Sequence, residues 1–186
     1  MEELNMSSDD IDKILESGSK EEKIKKLESL ANSNDPKIIL KVISKLDDPD
    51  IEVRGEAFSS LVLNDNNISN HLIEALKSES KNIRAFSALV LSNRRNAEAI
   101  PSIINLIKDQ SSMVRACALG ALGFLRAQQA SKAIHSCFAD SDLEVKKSAL
   151  KAAIDIGDKL SADTLKEFKK ENDPELENLI VQAEQN

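Results

Sequence analysis

The chain has 186 residues and a formal net charge of −7. It is 41% apolar, and its 3% of aromatic residues are all Phe. That apolar share is ample for one packed core, and Gly and Pro together number 9, too few for an all-β protein dense in turns. No run of about 18 apolar residues suits a membrane span, and the acidic opening MEELNMSSDD lacks the apolar stretch of a secretory signal and the arginines of a transit peptide.

Taken in chain order, the first segment, SSDDIDKILESG, fits a helix with Ser8 as cap and Gly18 as stop. Beyond it one line is written four times. The copies are DIEVRGEAFSSLVL at 50–63, SKNIRAFSALVL at 80–91, SSMVRACALGALGFL at 111–125 and DLEVKKSALKAAI at 142–154. Aligned on the β-branched residue before the basic one, the anchors Val53, Ile83, Val114 and Val145 are spaced by 30, 31 and 31. A step of 31 reaches Glu22 in KEEKIKKLESL on one side and Leu176 in DPELENLIVQA on the other, so weaker copies flank the four clear ones. A fixed period of this size marks a solenoid, in which each unit buries its apolar face only against its neighbours.

Each unit divides into two helices. The first carries its apolar residues at helical spacing: Val53, Ala57, Phe58 and Leu61 in one copy, and Val114, Ala118, Leu119 and Leu122 in another. The second helices carry Ile39, Val42, Ile43 and Leu46, then Leu72, Ile73 and Leu76, then Ile100, Ile103, Ile104 and Ile107, then Ile134 and Phe138. Polar breakers separate the units at 46–50, 77–82, 108–112 and 139–142. There Asp or Ser can cap the helix that follows, and Pro36, Pro49 and Pro174 sit near helix starts.

The expected fold is therefore all-α, a right-handed α-α superhelix of five to six helical hairpins. It has about eleven helices and no strand. The whole of 1–186 forms one domain, with 1–35 as N-terminal cap, 36–157 as regular repeats and 158–186 as C-terminal cap. Charge agrees with that division: the first segment nets −5, the middle +2 and the last −4. Polar, charged ends suit terminal repeats that face water.

The pattern DxxxxVRxxAxxALGxL, carried by Asp109, Val114, Arg115, Ala118, Ala121-Leu122-Gly123 and Leu125, resembles a HEAT-like repeat. The short type is found in phycobilin lyases and many prokaryotic proteins. Asp48, Val53, Arg54, Ala57 and Leu61 match as well, as do Asp140, Val145, Lys146 and Ala149, whereas the second copy has Ser78 in place of Asp. The resemblance covers roughly 20–185 and implies fold far more than function. It implies that the loop acids Asp48, Asp109 and Asp140 and the basic residues Arg54, Arg84, Arg115 and Lys146 help join one repeat to the next.

Chemistry is sparse. The deoxyhypusine hydroxylases, HEAT-like enzymes, bind iron through His-Glu pairs, and this chain has none. His135 shares the register of Ile43, Ile73 and Ile104 and is expected to be a half-buried structural histidine, while His71 lies on the outward side of its helix. Cys117 and Cys137 form no CxxC pair, and Gly120 and Gly123 follow no strand and suit close helix approach rather than phosphate binding. No metal and no cofactor are expected. The acidic balance and the absence of Trp and Tyr argue against nucleic acid.

Two surfaces are left. The outward positions of the second helices are Lys41, Lys45, His71, Glu74, Ser102, Asn105, Lys132 and Ser136, a polar row suited to an acidic or extended partner or merely solvated. Arg94, Arg95 and Arg126 form either a small anion patch or a solvated edge, since Arg95 and Arg126 are 31 apart and occupy equivalent loops. The resulting expectation is a monomeric cytoplasmic scaffold that binds a protein or peptide, without catalysis and without a membrane. A subunit role of the phycobilin lyase type, for which no bilin site is recognisable, is the alternative.

Overall fold

A computed structural model describes residues 8–185. The leader reading of residues 1–7 and the cap expected from the Ser8 side chain lie outside the described residues. The helices are α1 (Ser8–Ser17), α2 (Lys20–Leu30), α3 (Pro36–Ser44), α4 (Ile51–Leu63), α5 (Ser69–Ala75), α6 (Lys81–Asn93), α7 (Ile100–Asn105), α8 (Ser112–Phe124), α9 (Ser131–Ser136), α10 (Leu143–Asp155), α11 (Ala162–Lys169) and α12 (Pro174–Glu184). That is twelve against about eleven expected, with short 3-10 turns beside α3, α7 and α9 and no strand among the described residues. The longer helices α2, α4, α6, α8, α10 and α12 carry the anchors, and the others are their shorter partners. No helix among the described residues is long and apolar enough to cross a membrane.

The chain divides into two compact units, residues 1–90 and 91–186, the division falling inside α6. In the first, α2 packs on α4, and α3 packs against α4 and α5. Its core holds Leu27, Leu46, Val53, Ala57, Leu61 and Leu72, all essentially inaccessible. In the second, α8 packs along α10, and α10 along α12. Small residues allow that approach: Ala118, Ala121, Ala149 and Ala152 are buried. The last helices close on Leu150, which shares a cluster with Leu165, Phe168, Leu176, Leu179 and Ile180. Phe58, Ile73, Ile104 and Phe138 depart from the expected buried stripes and are half-buried, Phe58 at the edge of α4.

Capping explains the helix starts. Asp50 accepts from the N–H groups of Glu52 and Val53, Asp142 from those of Glu144 and Val145, and Asp173 from those of Glu175 and Leu176. Ser19 and Glu22 form a reciprocal capping box on α2. Ser111 makes no cap bond to α8. Its own N–H donates to Asp109 Oδ1 at 2.9 Å, as the N–H groups of Asp50 and Asp142 do to Asp48 and Asp140.

Between repeats runs a series of charged links. Lys23 reaches Asp48 at 2.9 Å, Arg115 grips Asp140 with two bonds of 2.8 Å, and Lys146 pairs with Glu171. Each cation follows its anchor and takes the acid 25 residues on. Arg54, Arg84 and Arg115 also donate to the carbonyls of their own preceding loops, so each guanidinium pins a turn. Lys147 bonds Glu144 on its own helix and links α10 to Asp173 and Glu175 at the start of α12; Glu144 first, then Glu175 and Asp173, raise its pKa.

These links set an acid response. The Arg115 hydrogen bonds hold the Asp140 carboxyl below the ordinary carboxylate range. At Asp48 burial opposes that shift, but the Lys23 hydrogen bond and a backbone N–H outweigh it. A folded-state pKa below the unfolded value, about 3.9, means that the stabilisation is complete above that value. It is lost as pH falls through the folded one. Urea titrations are expected to give constant stability from pH 7 to about 5 and a decline below about 4. Asp140→Asn should be less stable at pH 7 by about 2 kcal/mol and decline less on acidification. Parallel acid profiles for the two proteins would exclude Asp140 as a contributor.

Candidate functional site

The loops after α6, α8 and α10 repeat one geometry. The N–H of Asn96 bonds Leu91 O at 3.0 Å and that of Arg95 bonds Ser92 O at 2.9 Å. Ala127 bonds Leu122 O at 3.0 Å, and Arg126 bonds Gly123 O at 2.9 Å. Asp158 and Gly157 bond Ala153 O and Ile154 O, both at 3.0 Å. This double closure of a helix end demands a left-handed residue just past the helix, a place usually taken by Gly. The third copy supplies Gly157 at φ 82°, but the first two place Arg95 and Arg126 there, at φ 57° and 50°.

Both arginines are exposed and open onto a basin of about 610 Å³ whose walls include Gly123, Phe124, Leu125, Lys151 and Asp155. Phe124 is 55% exposed, an unusual place for one of the chain's few aromatics. Lys151 is paired with Asp155 one turn on, so the basin holds three cations against one carboxylate. Gly123 lines it because a side chain there would meet the backbone of α10.

Of the arginine patch expected from sequence, the structure brings Arg95 and Arg126 to one basin. Arg94 is half-buried, and the basin's walls do not include it. Lys151 and Phe124 were not anticipated. Lys151 stands six residues after the anchor Val145, where the other copies have Ser59, Leu89 and Gly120, so the repeat pattern does not mark it.

The polar row of the second helices is partly occupied within the fold. In the first unit Lys41 pairs with Asp12 at 2.5 Å and Glu74 with Lys77 at 2.7 Å, while Lys45 and His71 are partly exposed. In the second unit Ser136 Oγ donates to Ala133 O at 2.6 Å, and Ser102, Asn105 and Lys132 face outward to varying degrees. None of the eight lines the basin.

His135 is half-buried, as expected, and is held by a partner in the next loop. Its Nε2–H donates to Asp158 Oδ2 at 2.8 Å, and Ser131 Oγ donates to the same oxygen at 2.6 Å. The ring stacks on Phe138, with centroids 4.7 Å apart. Serine, histidine and aspartate meet, but Asp158 is the hub and Ser131 points its proton at the carboxylate. A nucleophile needs that contact with the base instead. Burial pushes the thiols of Cys117 and Cys137 up, away from the reactive thiolate. Among the described residues no group of three His, Cys, Asp or Glu is placed to hold a metal.

Residues 69–152 match the family described as HEAT repeats. The whole chain is similar in fold to solved helical-repeat structures. A designed armadillo repeat protein superposes with TM-score 0.59 and 17% identity, over 94% of this chain and 97% of that one. The complex of CpcE and CpcF of phycocyanin lyase, from a Nostoc species, gives 0.57 and 17%, over 97% and 78%. A computationally designed armadillo repeat protein for modular peptide recognition gives 0.54 and 16%, over 95% and 98%. No curated protein matches the chain in sequence.

Proposed function

We propose that the chain is a non-catalytic scaffold that holds an acidic segment of a partner protein, with Arg95, Arg126 and Lys151 receiving its carboxylates. The observation that carries this is the left-handed backbone of Arg95 and Arg126. Such a conformation costs a side-chain-bearing residue about 1 kcal/mol. The fold does not need arginine there, because Gly157 closes the same turn in the next copy. Strain accepted twice, at positions that aim cations into one basin, fits a binding role better than a structural one. Exposed Phe124 offers an apolar contact at the same rim. The likeness in fold to a repeat protein designed for peptide recognition supports the same reading.

The test separates stability from binding. The double variant Arg95→Gly, Arg126→Gly should melt about 4–8 °C higher, because glycine relieves the strain at both places. It should bind a fluorescein-labelled hexaglutamate peptide at least tenfold more weakly than wild type. Wild-type binding should fall steeply as salt is raised. Equal affinity of the two proteins for that peptide would reject the basin as the site.

A further inference from the structure

The repeats act as internal controls for one another, and one place departs from the pattern in three ways at once. In the first unit α4 and α6 flank a cleft of about 340 Å³ lined by Ile51, Arg54, Gly55, Phe58, Phe86 and Leu89. Ile51 is 73% exposed, and Phe58, Phe86 and Leu89 are half-buried.

The first departure is apolar. The positions matching Phe86 in the other copies are Glu56, Cys117 and Ser148, and those matching Leu89 are Ser59, Gly120 and Lys151. Packing of the repeat therefore does not require a bulky apolar residue at either place. The second is steric. Gly55 stands where the other copies have Ala85, Ala116 and Lys147, and a side chain added to it would meet nothing within 4 Å. The third is electrostatic. Lys23, Arg115 and Lys146 each take a carboxylate from the next repeat, but Arg54 has Ser78 at the aligned place and forms no ion pair with Glu79, the acid 25 residues on. Arg54 donates to the carbonyls of Asp48 and Pro49, and among the described residues no carboxylate pairs with it.

An apolar cleft with open space at its floor and an uncompensated guanidinium at its rim has a definite complement. We infer that this cleft docks a partner segment that combines a bulky apolar side chain, seated over Gly55 between Phe58 and Phe86, with a carboxylate that pairs with Arg54. The partner supplies the carboxylate that Arg54 does not receive within the fold, an arrangement that charge complementarity favours over a purely apolar occupant. Desolvation of the guanidinium by the aromatic walls strengthens that pair. The site is independent of the basin and of the reading drawn from it.

The probe is a phage-displayed library of random twelve-residue peptides panned against the full chain. The enriched sequences should combine Asp or Glu with Leu, Phe or Met. The best of them, made synthetically, should bind Gly55→Leu and Arg54→Glu at least tenfold more weakly than wild type. It should bind the Arg95→Gly, Arg126→Gly variant unchanged. Gly55→Leu removes a helix-interior glycine at an open site, so it should raise the melting temperature, and lost binding cannot then be lost folding. Failure of any acidic-apolar sequence to enrich, or equal binding to Gly55→Leu and wild type, would overturn the proposal. Concentration-dependent dimerisation that Gly55→Leu abolishes would also overturn it, by giving the cleft to a second copy of the chain.

Discussion

Leu150→Ala is expected to destabilise the chain by about 3 kcal/mol. Leu150 is completely buried and is the member of the C-terminal cluster that α10 contributes beneath α11 and α12. Its removal takes the apolar anchor from under Leu165, Phe168, Leu176, Leu179 and Ile180 together, and the leucine-sized space is closed in by two helices that are themselves fixed at their starts by Ser161 and Asp173. Collapse into the cavity is restricted, so the transfer loss and the cavity loss both apply. Urea unfolding should show the lower midpoint. Amide exchange should be accelerated most in α11 and α12, because Leu150 is the fully buried residue by which α10 anchors their apolar cluster. Uniform acceleration along the chain would show instead that the last helices do not open separately.

The second large effect contrasts two glycines on one helix. A Cβ at Gly123 would lie 3.0 Å from the Ala152 Cα, 3.3 Å from its Cβ and 3.2 Å from Asp155 Oδ2. Backbone of another helix cannot step aside as a flexible side chain does. Gly123→Leu must therefore push α8 and α10 apart, with an expected cost of about 2–3 kcal/mol. Three residues earlier, a Cβ at Gly120 meets nothing within 4 Å. Gly120→Ala should stabilise by about 0.5–1 kcal/mol through helix propensity alone. Opposite signs in thermal melts are the expected result. A stabilising Gly123→Leu would mean that α8 and α10 do not approach as closely as the structure has them.

Much of this was legible in the sequence, because a period of about 31 residues imposes one environment on each position. Of the four anchors, Val53, Val114 and Val145 are fully buried and Ile83 is half-buried. The equivalence of Arg95 and Arg126 also followed from the period. Their backbone conformation did not, since nothing in an arginine announces a left-handed turn. Its only trace was Gly157 at the next equivalent place. The resemblance named the loop acids and basic residues that join repeats but not which acid meets which base, for a geometric reason. The acid that meets a basic residue lies in the loop before the next first helix, 25 residues away rather than 31, as for Arg115 with Asp140. The cleft on α4 was missed because Phe58 fits the apolar stripe and was read as buried. Only the fold shows it standing at the edge of α4 with Ile51 exposed beside it.

The charged links have an energetic corollary. Lys23 with Asp48, Arg115 with Asp140 and Lys146 with Glu171 each couple a repeat to its immediate neighbour. Stability then accumulates as a chain of nearest-neighbour terms, as in a one-dimensional lattice, rather than as a single all-or-none sum. In such a lattice a substitution lowers the barrier to opening in its own repeat and the next, and distant substitutions add without interference. Each compact unit can therefore fray from its terminal end while its other repeats stay closed.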